Sequence, residues 1–151
     1  MAHYRQRTSL DECVVSLHHP PMHSFADLVS SRKTWLADVL APWCRQAVVK
    51  DLRLAELEWG DIAGKVDPEK TLWYWAWSRF PELVHAELVG IDETREMTVT
   101  LCDGRIVTGF PDARQSVQGQ LVLVGRDPLN PRRIEEHGPF SLDEIAAIAH
   151  V

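Results

Sequence analysis

The stretch Met97 to Phe110, MTVTLCDGRIVTGF, constrains this chain more than any other. Its halves alternate apolar and polar residues and meet at Asp103-Gly104, a strong short-range signal for a two-residue hairpin turn. With Cys102 opposite Arg105, such a turn sets Leu101 against Ile106, Val99 against Thr108 and Met97 against Phe110. All six side chains then share one face, which needs a core to cover it. The other face carries Thr98, Thr100, Cys102, Arg105, Val107 and Gly109, and can be covered by a neighbour or left wet.

The remaining elements are arranged around this hairpin. Ser24 with Asp27 three residues on forms a capping signal, and Phe25, Leu28, Val29, Leu36, Val39 and Leu40 follow at helical spacing. A helix over 25–41 is predicted, ended by Pro42, which lacks a donor and restricts the residue before it. From Gln46 to Trp59 the pattern turns to alternation, with Ala55, Leu57 and Trp59 on one face, so a half-exposed strand is expected. Asp67-Pro68 reads either as an N-cap with proline at the first helical position or as a turn. In Leu72-Trp73-Tyr74-Trp75-Ala76-Trp77 a strand puts all three tryptophans on one face and suits their aromatic character, whereas a helix separates Trp75 from the other two. Strand is preferred here, with the helix start at Asp67-Pro68 as the alternative.

Val84 to Ile91 can form a further strand, and Leu121 to Val124 is apolar on both faces, as an interior strand would be. Gly125 to Pro139 reads as a long loop with three prolines, a length usually tied to function or mobility. Ser141 with Glu144 forms a capping box, which predicts a short helix from Leu142 to His150 that docks Leu142, Ile145 and Ile148. Residues 1–23 read as an extended arm, with a short strand at Cys13 to Leu17 and a turn at His18-His19-Pro20-Pro21. The expected architecture is therefore an arm followed by a single α+β domain over 24–151. Its sheet is antiparallel and bent, or a small partly open barrel, of about six strands, with one N-terminal helix and one short C-terminal helix.

A chain of 151 residues buries enough surface for a core without staples. A net charge of −6 argues against general nucleic-acid binding, which relies on Lys and Arg. The charge is unevenly spread: residues 51–100 carry eleven acids and five bases, while the last third keeps five arginines. Three widely spaced cysteines, Cys13, Cys44 and Cys102, suit a reducing compartment, and the cytoplasm is expected. Neither a signal peptide nor a membrane span is recognisable.

Val99-x-Leu101-x-Asp103-Gly104-Arg105-x-Val107-x-Gly109 resembles the first sequence motif of Sm-like, SH3-like small barrels. There, apolar alternation meets an x-Gly turn and a later glycine lets the strand bend sharply. The resemblance covers about a quarter of the chain and implies a small-barrel architecture. In that family an Asp and an Asn after the bending glycine help form an RNA pocket. Here Phe110-Pro111-Asp112-Ala113-Arg114 inserts a proline and offers no Asn, so no RNA-binding residue carries over.

Several residue groups are candidates for chemistry or contact. His18, His19 and His23, with Cys13, could ligate a metal, but their spacing matches no familiar zinc pattern, and no cofactor is expected. Trp73, Trp75 and Trp77 can serve as a core wall or as an anchor for a partner. Arg105, Arg114, Arg126, Arg132 and Arg133 place forked donors on turns and loops, where they can recognise carboxylates. No nucleophile elbow, phosphate loop, dinucleotide fingerprint or His-Glu-x-x-His motif is present. The expected role is an interaction module that contacts an acidic protein partner through its arginine loops and tryptophans. The alternatives are a small enzyme using His18, His19, His23 or His85, with a metal if the arm binds one, and an Sm-like single-stranded RNA binder.

Overall fold

The structure, a computed structural model, describes residues 24–151; the expected arm, with its strand and its candidate metal histidines, lies outside them. Helix α1, Phe25–Trp35, starts where the sequence placed it, with Ser24 Oγ accepting the Asp27 N–H. It does not stop at Pro42. A π-helical turn, Leu36–Leu40, leads directly into α2, Ala41–Gln46. Ala41 N–H reaches back five residues to Leu36 O, so the widened turn accommodates a proline that brings no donor of its own.

The strand expected over Gln46 to Trp59 is instead two helices, α3, Val49–Leu57, and α4, Trp59–Ala63. Val49, Leu52 and Trp59 are buried at helical spacing, while Leu57, which the alternation sent inward, is 83% exposed. The Trp-rich stretch also corrects to helix. A π-helical turn, Glu69–Trp73, runs into α5, Tyr74–Trp77, after Asp67 Oδ1 accepts the Glu69 N–H at 3.0 Å. The Asp67-Pro68 start therefore outweighs aromatic β propensity. Trp73 and Trp77, four residues apart on one helix face, are buried, and Trp75 packs edge-on against Trp59 with ring centres 6.1 Å apart.

Among the described residues five strands form one antiparallel, unclosed sheet in the order β4-β3-β2-β1-β5: β1 Met97–Leu101, β2 Ile106–Pro111, β3 Gln120–Arg126, β4 Ile134–Ser141 and β5 Ile145–His150. The sixth strand, expected over Val84 to Ile91, reduces to one isolated bridge between those two residues.

The central hairpin forms with a register one residue away from the expected one. Val99 pairs with Val107 and Met97 with Gly109, because three residues, Cys102, Asp103 and Gly104, make the connection. Gly104 N–H donates to Leu101 O at 2.9 Å and Leu101 N–H to Arg105 O at 2.8 Å. Among the three loop residues only Gly104 has positive φ, +90°. That combination is a turn followed by a left-handed bulge residue rather than the two-residue turn, and a one-residue slip moves every side chain of β2 to the other face. Val107, Gly109 and Pro111 therefore side with Met97, Val99 and Leu101, while Ile106, Thr108 and Phe110 point away. At Gly109 β2 changes partner, pairing with β1 up to that residue and with β3 from Phe110 onward. A side chain there would lie 2.9 Å from Val124 O, so the glycine is what lets the strands approach.

The C-terminal helix is also a correction. The Ser141–Glu144 capping box forms, but it caps only one 3-10 turn, Leu142–Glu144, before β5 pairs along β1. Leu142, Ile145 and Ile148 are nonetheless buried as expected. A bulge makes this possible: Leu101 faces Ile145 and Thr100 faces Ala147, so Ala146 is the extra residue and two isoleucines three apart can both turn inward. The long loop over Gly125 to Pro139 shrinks to Asp127–Arg133, since β4 begins at Ile134.

The core lies between sheet and helices. Met97, Val99, Leu121 and Leu123 meet Leu52, Leu72, Trp73 and Leu83, each at most 1% exposed and each worth about 1.5–3 kcal/mol of burial for an aliphatic side chain. Two polar ties hold the layers. Asp143, beside β5, accepts the Val49 N–H at 3.1 Å and so caps α3, whose own N-cap residue has no side-chain acceptor. The Arg79 guanidinium donates to the carbonyls of Cys44, Ala47 and Ala76, which joins the ends of α2 and α5.

Candidate functional site

The corrected hairpin register creates the surface that follows. Ile106 is 66% exposed and Phe110 44%, and across the sheet Ile134 on β4 is 71% exposed. Phe110 pairs with Val124, Val124 with Glu136, and Arg126 with Ile134, which places these side chains in two neighbouring rows on the outer face. Pairing between β2 and β3 is confined to Phe110 and Pro111. Beside it lies a cleft of about 720 Å³ whose apolar side is Phe110, Val124, Pro128 and Ile134 and whose charged side chains are Arg126, Glu96 and Glu135, with Thr108, Gly125 and His137 completing it.

The β3–β4 hairpin carries Arg126, Arg132 and Arg133 together, with Arg126 paired to Ile134 and the Asp127 N–H donated to Arg133 O. Arg105, by contrast, lies beside Pro139, Phe140 and Glu144 at the far end of β4, and Arg114 sits between β2 and β3. Arg105 is engaged by Asp103 at 2.7 Å. Among the described residues, Arg126, Arg132 and Arg133 have no carboxylate within ion-pairing distance. The Asp127–Arg133 loop that carries two of them is internally bonded. Asp127 Oδ1 accepts the Leu129 N–H at 2.8 Å, Asn130 Oδ1 the Arg132 N–H at 3.2 Å, and Arg133 O the Asp127 N–H at 3.0 Å. These bonds shape the loop and leave Leu129 95% exposed.

The three tryptophans expected to share a partner surface are elsewhere. Trp73 and Trp77 are 1% and 3% exposed, and Trp73 Nε1 donates to Glu56 Oε2 at 3.0 Å, so neither can anchor a partner on the outside. Trp75 packs on Trp59. His85 lies 3.9 Å from Asp92, whose carboxylate accepts the hydroxyl and N–H of Thr94. Those bonds, then residue charges including His85 and Arg95, hold the Asp92 carboxyl below its usual range despite partial desolvation. Among the described residues no three His, Cys, Asp or Glu side chains converge as metal ligands would. Cys44 is fully buried, and burial pushes its thiol up to about 11, which suits packing rather than nucleophilic attack. No described helix is long and apolar enough to cross a membrane.

Ile106, Phe110, Leu129 and Ile134 were missing from the residues the sequence nominated. The available signal was the turn itself: Asp103 Oδ1 accepts the Arg105 N–H, a local bond that favours the three-residue connection over the two-residue one. No family model, no curated protein and no solved structure matches the chain.

Proposed function

We propose that the protein is an interaction module whose outer sheet face docks an acidic segment of another protein. Ile106, Phe110 and Ile134 would take apolar side chains of that segment, and Arg126, Arg132 and Arg133 its carboxylates. The observation that carries this reading is the cleft in which the exposed Phe110 and Ile134 lie beside Arg126, on a hairpin whose Arg126, Arg132 and Arg133 have no carboxylate within ion-pairing distance among the described residues. The loop's internal hydrogen bonds add to it, because a shaped loop loses little freedom on binding. The bend of β2 at Gly109 supports the small-barrel reading of the architecture, and Cys44 and Cys102, the cysteines among the described residues, are free, which suits a cytoplasmic setting. The overall charge of −6 favours a protein partner over a long polyanion such as RNA.

Two variants test the proposal: Arg132→Ala with Arg133→Ala, and Ile106→Ser with Ile134→Ser. Wild-type protein should capture a protein partner that salt releases, and both variants should lose it while keeping their denaturation midpoints. Retention of the partner by both variants would overturn the assignment. A salt-dependent shift of single-stranded RNA by wild type, with no protein captured, would put the RNA reading in its place.

A further inference from the structure

A second hollow lies away from the outer sheet face, between the Glu69–Trp77 helical segment and the loop that the Val84–Ile91 bridge closes. It encloses about 230 Å³. Trp73, Tyr74 and Trp77 back its helical side, Val84, Val89, Gly90 and Ile91 form the facing loop, and Asp67, Glu69, Lys70, Ala113 and Ser116 complete the lining. The loop is tied in place by several bonds. Asp92 N–H donates to Leu83 O at 2.8 Å, His85 N–H to Gly90 O at 3.2 Å, and Tyr74 Oη to His85 O at 3.4 Å. The hollow is therefore framed by bonded backbone on the loop side and by core rings on the helix side.

Its chemistry is one-sided. The Trp73 indole N–H is already given to Glu56 Oε2, so this ring offers no donor to an anion. Asp67 and Glu69 line the hollow with Lys70, and Glu56, which accepts the Trp73 indole N–H, adds a third negative charge nearby. Burial first, then the Glu56 charge and more weakly that of Asp67, push the Glu69 carboxyl upward, against the Gln118 N–H, which draws it down. Apolar and aromatic walls with a negative rim favour a ligand that has an apolar body and a positive head. We propose that this hollow binds a small organic cation, an ammonium or guanidinium on a short apolar or aromatic body, with Asp67 and Glu69 facing the charge and Tyr74, Val84, Val89 and Ile91 holding the body.

Phenethylammonium, its neutral analogue 2-phenylethanol and the anion 3-phenylpropionate serve as probes, with binding read from amide and indole shifts in two-dimensional NMR of the full chain. Phenethylammonium should give saturable shifts confined to residues 67–77 and 84–91, with affinity about tenfold above that of the alcohol, and the anion should give none. Asp67→Asn combined with Glu69→Gln keeps the oxygen that accepts the Glu69 N–H but removes both charges, and should weaken the ammonium about tenfold or more. Lys70→Gln removes the competing charge and should tighten binding, a gain that misfolding could not mimic. Equal affinity for ammonium and alcohol, or an unchanged affinity in the doubly neutralised variant, would overturn the assignment. So would the absence of shifts in these two segments with every probe.

Discussion

On the inner face of the sheet Met97, Val99, Leu121 and Leu123 are fully buried, whereas on the outer face Ile106, Phe110 and Ile134 remain 66%, 44% and 71% exposed. The residue types are alike, so composition does not separate the two faces. Cover and register do. The inner face receives Leu52, Leu72 and Trp73 from the helices, and the turn at Cys102–Gly104 decides which half of β2 points toward them. The same alternation that reads as a core stripe in the sequence thus becomes, one residue out of step, a contact surface.

The widest gap between the faces should appear in stability. Leu123→Ala, on the inner face at 0% exposure, should lower unfolding free energy by about 2–5 kcal/mol in urea titrations, since the packed helices can close only part of the void. A cost no larger than that of an outer-face change would break the contrast. Gly104→Val attacks the register itself. A β-branched residue at φ +90° is strained whatever the space around it, so a loss of about 1–3 kcal/mol is expected. An unchanged midpoint would mean that the turn does not set the facing of β2.

Asp143→Ala probes the tie that keeps the covering helices in place. Loss of the cap on Val49 should cost about 1 kcal/mol and raise amide exchange in the first turn of α3 before the strands respond. The Asp92 carboxyl, held below its usual value first by the Thr94 hydroxyl, gives a smaller, pH-dependent effect. Its unfolded form binds a proton more readily than its folded form, so stability rises with pH through this group. The contribution is complete well above the ordinary value of 3.8 and is lost as pH falls through the lower folded value. Melting curves across that acid range should be flatter for Asp92→Asn than for wild type. The smallest effect is expected from Ile106→Thr on the outer face, within about 0.5 kcal/mol, although partner capture should fall. A large destabilisation there would show that the outer face is covered in the folded protein.

What the sequence determined by itself is local. Ser24 and Ser141 cap their helical turns, Asp67-Pro68 opens a helix and Gly104 takes the left-handed position, because each of these acts through atoms no more than three residues away. The burial of Leu142, Ile145 and Ile148 was legible as well, since apolar residues must be covered in any arrangement. The means of covering them was not. A helix would bury residues at that spacing, and so does a strand with one bulge; the open edge of β1 makes the strand available. Likewise Ala55, Leu57 and Trp59 alternate as a strand does, yet Val49, Leu52 and Trp59 supply the helical stripe that fits against the core. The candidate arginines were readable one by one, but that Arg126 joins Arg132 and Arg133 on the β3–β4 hairpin required the strand pairing, and the exposure of Ile106 and Phe110 required the register. Pattern specifies which side chains need cover, and only the tertiary structure decides what supplies it, because hydrophobic burial is non-directional and is satisfied by whichever element reaches the site.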